Sequence, residues 1–155
     1  MSTSPRSGLH ETERYEDCLE RIDRLRPETI PQWGSMDAAQ MLSHCAEVQE
    51  VSNGSKELRD TPLMIKLFKG VIRKMVLSDK PYPKSTRTHP QYIQRSQKDF
   101  EAEKQRLVAS LDVFRKMDSA AAESSAHPLF GKLTLEEKGF LTYRHLDHHL
   151  TQFGV

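Results

Sequence analysis

The chain has 155 residues, 29 % of them charged, and its 23 basic side chains are nearly balanced by 22 acidic ones. That length suits one domain with a real core, and the charge balance gives no electrostatic case for a nucleic-acid binder. No apolar run is long enough to span a bilayer, so stable membrane insertion is not expected. Residues 1–8, from Met1 to Gly8, have no apolar segment behind them. They read as a flexible tail rather than an export signal, leaving a single domain over 9–155. Cys18 and Cys45 are too few for a disulfide framework and are expected to stay reduced, in a cytoplasmic setting.

Apolar residues recur at helical spacing throughout, and strand-like alternation never persists. Tyr15, Leu19, Ile22 and Leu25 mark a first helix that stops before Pro27. Pro27 and Pro31 hold a loop, after which Ser35 is the expected cap of a second helix ending at Asn53-Gly54. Asp60-Thr61-Pro62 opens a basic amphipathic helix over 62–77, with proline at its first position. Its apolar set is Met64, Ile65, Phe68, Val71, Ile72, Met75 and Val76, and its polar positions include Lys66, Lys69, Arg73 and Lys74. Three readings suit that pattern: a cover laid over the bundle core, which is the expectation, a membrane-surface helix, or a homodimer contact. A proline-punctuated loop follows at Pro81, Pro83 and Pro90. The next helix is predicted from Ser96 through Phe100, Leu107, Leu111, Phe114 and Met117, and Asp118 to Ala126 reads as a linker. Thr134-Leu135-Glu136-Glu137 is a capping box that starts a last helix running to Phe153 and ending at Gly154. The result is an all-α bundle of four main helices, with a long crossover between the second and third that contains the extra amphipathic helix.

His145 and His149 in the last helix are four residues apart, which places both rings on one face, close enough to share a metal ion. Leu141, Leu146, Leu150 and Phe153 make that helix partly buried, and Gln152 lies one turn beyond His149. Buried imidazoles need partners, and a metal is one way to satisfy them. His148 lies one turn from His145 on the side away from His149; it is either a supporting residue or solvent-facing.

The segment Gln40-Met41-Leu42-Ser43-His44, together with His145-Leu146-Asp147-His148-His149, resembles the paired histidine motifs of the DinB-like superfamily of four-helix bundles. That superfamily includes relatives of the mycothiol- and bacillithiol-dependent transferases. Trp33-Gly34-Ser35-Met36 and the stretch from His127 to Leu133 further resemble a subgroup whose function is uncharacterised. The resemblance covers most of the chain from Pro31 onward. It implies that His44, His145 and His149 coordinate one divalent metal. Neutral imidazoles without a carboxylate set suit zinc or nickel better than magnesium or calcium. An open coordination position suits catalysis more than structure. The resemblance further implies a low-molecular-weight thiol, often the nucleophile transferred to an electrophile, and the leading expectation is a metal-dependent transferase or hydrolase-like enzyme acting on a small molecule. The alternative is a non-catalytic metal-binding or protein-interaction scaffold.

Asp37, Gln40 and Glu47 share helix surface with His44 and are candidates to bind the free nitrogen of a ligand imidazole. Cys45, next to His44, points elsewhere and is expected to be a small buried residue. His127 precedes Pro128 in a loop; it lies near the site mouth or fills an ordinary hydrogen-bonding role. Arg144, Arg87 and Lys84 are candidates to meet anionic substrate groups, and Trp33 is expected to cap the core at a helix entry.

Overall fold

Six α-helices carry these periodicities in the computed structural model, which describes residues 6–155: α1 Thr12–Arg24, α2 Ala38–Ser52, α3 Leu63–Val76, α4 Phe100–Arg115, α5 Ser119–Ser124 and α6 Leu135–Gln152. A 3-10 turn, Pro90–Tyr92, interrupts the crossover. Among the described residues the only extended pairing is an isolated bridge between His127 and Gly131.

Helix starts follow the strongest local cap. Thr134 and Glu137 form the expected capping box of α6. α2 begins later than expected, because the Asp37 carboxylate accepts from the Gln40 backbone N–H at 2.8 Å and the Gln40 side chain accepts from the Asp37 N–H at 3.1 Å. That reciprocal box leaves Ser35 outside the helix. Asp99, not Ser96, caps α4, accepting from the Ala102 N–H at 2.7 Å, and Met117 lies beyond its end. Pro62 is itself the cap residue of α3, which starts at Leu63. The expected linker after Asp118 holds α5, since an aspartate cap followed by Ser119-Ala120-Ala121-Ala122 is a strong helix start.

Helices α1, α2, α4 and α6 make the bundle. α2 packs along α4 and against α6, while α1 lies on α6 and α4. Twelve of the fifteen residues of α2 are buried, which makes it the central helix. Its Met41, Leu42 and Ala46 meet Ile22, Leu107, Leu111, Phe114, Leu146 and Leu150 in the main core. Arg21 fastens α1 to α6, donating to Asp147 at 2.7 Å and to the Thr151 hydroxyl at 3.2 Å. A smaller cluster of Leu77, Leu133, Phe140 and Leu141 ties the end of α3 to the start of α6.

α3 overturns the expectation that it covers the core. None of its residues is buried. Arg144 of α6 holds its C-terminal end by donating to the carbonyls of Val76 and Ser78, and Arg73 pairs with Glu137 at 3.5 Å. α1, α2, α4 and α6 close the core among themselves, so the apolar face of α3 is left outward.

Residues 1–5 of the expected tail lie outside the described residues; Ser7 and Gly8 of that tail are packed. The Ser7 hydroxyl donates to Glu11 at 2.6 Å, and the Leu9 N–H donates to the Gly139 carbonyl at 2.9 Å. Two glycines allow this approach: a Cβ on Gly8 would lie 2.5 Å from the Gly139 carbonyl carbon and the Phe140 nitrogen. Both obstacles are backbone. Gly8→Ala is therefore expected to cost about 1–3 kcal/mol in denaturant unfolding, the range for overpacking, and no loss of stability would show that this strand of chain is not docked.

Candidate metal centre

His44 from the middle of α2 meets His145 and His149 from the last turns of α6. Their ring centroids form a nearly equilateral triangle, 5.0 Å from His44 to His145, 4.8 Å from His44 to His149 and 4.7 Å between the α6 pair. One nitrogen from each lies within 4.8 Å of the others, a group that can hold a metal ion. The Nε2 atoms of His44 and His145 are 3.0 Å apart. Two imidazoles on one tetrahedral zinc, at bond lengths of about 2.0–2.1 Å, stand about 3.3 Å apart, so the His44–His145 pair is already near the spacing an ion requires.

Two of the three tautomers are set by neighbours. His44 Nδ1 lies 2.9 Å from the Tyr92 carbonyl and must donate to it, leaving Nε2 with a lone pair. Gln152 Nε2 donates to the Trp33 carbonyl at 2.7 Å, so the Gln152 Oε1 atom faces His149 and accepts from its Nδ1 at 2.8 Å. The Nε2 atom of His149 is thereby also a lone pair. Gly34 makes this path possible. At φ +85°, it brings bare backbone past Gln152, whose amide nitrogen would lie 2.6 Å from any Cβ there.

Electrostatics favours neutral rings. Burial lowers the pKa of His44 and takes that of His145 well below its ordinary value of 6.5, with the neighbouring imidazoles adding to the effect at His145. His149 is pushed down to about 3, by burial first and then by His44. Lone pairs on neutral imidazoles are what a borderline divalent ion requires. Because the amide of Gln152 fixes the tautomer that leaves His149 Nε2 unprotonated, as a metal ligand requires, Gln152→Leu is expected to weaken any zinc or nickel affinity about 10–100-fold, read by competition with a chromogenic chelator. Unchanged affinity would mean the amide does not orient the ring.

The other candidate residues lie elsewhere or play other parts. Asp37 and Gln40 are spent on the α2 cap, and Gln40 also donates to the Ser96 carbonyl at 3.3 Å. Glu47 accepts from Lys56, Gln91 and Arg106, turned away from His44. The partners of the imidazoles' other nitrogens are the Tyr92 carbonyl and Gln152. Gln152 was visible as one turn beyond His149, whereas a backbone carbonyl in a proline-rich loop carries no residue-type signal.

His127 is buried against Phe130, with centroids 4.5 Å apart, and accepts from the Leu129 N–H at 3.1 Å. Burial and Lys138 push it down to about 4. Lys138 is seven residues before His145, about 10 Å along the helix, so His127 stands apart from the triad. Cys45 is buried against Met41, and burial raises its thiol pKa, as it raises that of Cys18 to about 12; neither is a thiolate at neutral pH.

His148 stands beside the triad, outside it. Its ring is 5.0 Å from His149, 5.8 Å from Trp33 and 5.9 Å from Tyr82. Lys84 places its ammonium 4.3 Å above the Trp33 ring. Trp33 thus sits against His148, outside the hydrophobic core clusters, and its indole Nε1 is buried with no hydrogen-bond partner among the described residues. Arg144 stacks on Tyr82 and holds crossover carbonyls, which makes it a fastening for this rim.

A profile of the family described as protein of unknown function (DUF1569) matches residues 6–154. No curated protein and no solved structure matches the chain.

Proposed function

The chain belongs to the DUF1569 family, and we propose that it is a DinB-like metalloprotein, a metal-dependent transferase acting on a small molecule. The observation that carries the reading is the paired orientation of His44 and His149. Each holds its Nδ1 proton on a fixed acceptor and keeps a lone pair on Nε2, and the Nε2 of His44 lies 3.0 Å from that of His145. The donors fit zinc or nickel: nitrogen only, neutral, and three in number, short of the four protein ligands that close a structural zinc site.

A divalent ion held there supplies Lewis acidity, lowering the pKa of a water or a low-molecular-weight thiol so that the nucleophile forms at neutral pH. The chain's own contribution is to orient and shield. Trp33 and Tyr82 offer flat apolar faces beside His148, and Lys84 offers a positive charge to an anionic group. In the transfer, the thiol proton passes to solvent, the sulfur bonds to the electrophilic carbon, and the leaving group departs with the bonding pair.

Conjugation of a small thiol to an aromatic halide electrophile, followed with zinc-loaded and chelator-treated full-length protein, tests the reading. Turnover only in the loaded sample supports a transferase. Zinc binding at one ion per chain with no acceleration of any thiol or hydrolytic reaction would leave a metal-binding scaffold in its place.

A further inference from the structure

We propose that α3 and the crossover around it dock on an anionic lipid bilayer, lying in the interface without crossing it. The proposal is independent of the metal centre. No helix among the described residues is long and apolar enough to cross a membrane. Yet α3 presents Met64 at 61 %, Leu67 at 67 %, Phe68 at 51 % and Val71 at 67 % exposure. With Met75 these residues fall within an arc of about 100° on the helix, so they form one continuous apolar face.

Charge selects the partner. From Thr61 to Lys98 the chain has nine basic side chains and a single acidic one, Asp79, leaving 14 basic against 21 acidic elsewhere. The near-neutral total therefore conceals a strongly basic crossover on an acidic body. Lys66, Lys69 and Lys74 are exposed and make no ion pair among the described residues, whereas Arg73 is committed to Glu137. A nucleic acid would match the charge but offer nothing to the apolar face. A second copy of the chain would match the apolar face but bring two basic crossovers together. An anionic bilayer meets both demands: hydrocarbon for the Leu67, Phe68 and Val71 face, and anionic headgroups for the lysines.

Flotation of the full-length protein with phosphatidylglycerol-rich vesicles, compared with pure phosphatidylcholine, tests this. Binding is expected to the anionic vesicles alone and to fall as salt rises. Each lysine near the surface contributes about fivefold in partitioning, so the triple variant Lys66→Gln, Lys69→Gln, Lys74→Gln should bind about a hundredfold more weakly. Leu67→Glu with Val71→Glu should abolish binding and, since both positions are exposed, leave the circular dichroism spectrum unchanged. Phe68→Trp should shift its emission to the blue on adding anionic vesicles, which locates contact at α3. Absence of flotation at low salt overturns the proposal, as does equal binding to both lipids. A concentration-dependent dimer that Leu67→Glu dissociates, without vesicle binding, would assign the face to a second copy instead.

Discussion

His149→Ala is expected to abolish metal loading, taking elemental analysis of the purified chain from one zinc or nickel per molecule to nearly none. The reasoning is geometric. His149 closes a triangle whose sides are all 5.0 Å or less, and its removal leaves two imidazoles on different helices. The affinity loss should exceed the about 10–100-fold that follows loss of an imidazole's hydrogen-bonding partner. His148→Ala is the control, since His148 stands outside the triad, and it should keep its ion. Full occupancy in His149→Ala would overturn the ligand assignment.

The same variant has a pH signature without metal. Burial and His44 hold His149 at about 3 in the folded chain, below its ordinary 6.5. As pH falls below 6.5 the unfolded chain takes up the proton first, so metal-free stability drops between those two values, by up to about 1.4 kcal/mol per pH unit for this one group. His149→Ala should flatten part of that acid slope while removing the ion. A variant that merely misfolded would lose stability at every pH.

Away from the candidate metal centre, Arg106→Ala should cost about 2–3 kcal/mol in denaturant unfolding. Arg106 makes a two-pronged contact with Glu50, at 2.7 and 2.6 Å, and also reaches Glu47 at 2.7 Å and Glu103 at 3.0 Å. Deleting the guanidinium removes these partners from Glu50 and Glu103 and leaves buried Glu47 with only Lys56 and Gln91, so the change unpicks a network between α2 and α4 rather than one surface pair. Burial pushes the Glu47 carboxyl up, but bonds from Lys56, Gln91 and Arg106 outweigh it and hold the carboxyl below its ordinary 4.5. That contribution is complete above 4.5 and is lost as pH falls through the depressed value. The gap between wild type and Arg106→Ala should therefore narrow in acid. Lys116→Ala breaks an exposed pair with Asp112 and should change nothing measurable. Equal effects from the two variants would deny the network its role.

Much of the fold is legible without coordinates, because the burial pattern of an α-helix has a local period. The stripe Phe100, Leu107, Leu111 and Phe114 lies buried in α4, and Thr134 with Glu137 caps α6. Errors gathered at helix starts, where several cap residues compete and the best geometry wins. Asp37 displaced Ser35, Asp99 displaced Ser96, and Asp118 turned a linker into α5. Within the centre, the α6 pair follows from spacing. The role implied for His44 came through resemblance, since no local rule connects α2 to α6.

What the chain determined by itself, then, is most of its helices and the one-turn step from His145 to His149, since each depends on neighbours within a few residues. Tertiary structure decided the rest. It brought His44 within 3.0 Å of His145 across 101 residues, set the Tyr92 carbonyl and Gln152 behind two of the rings, and sent Glu47 into a charge network with Arg106. It also left α3 facing outward. Periodicity says that a helix has an apolar face; only packing among the other helices decides whether the core has room for it.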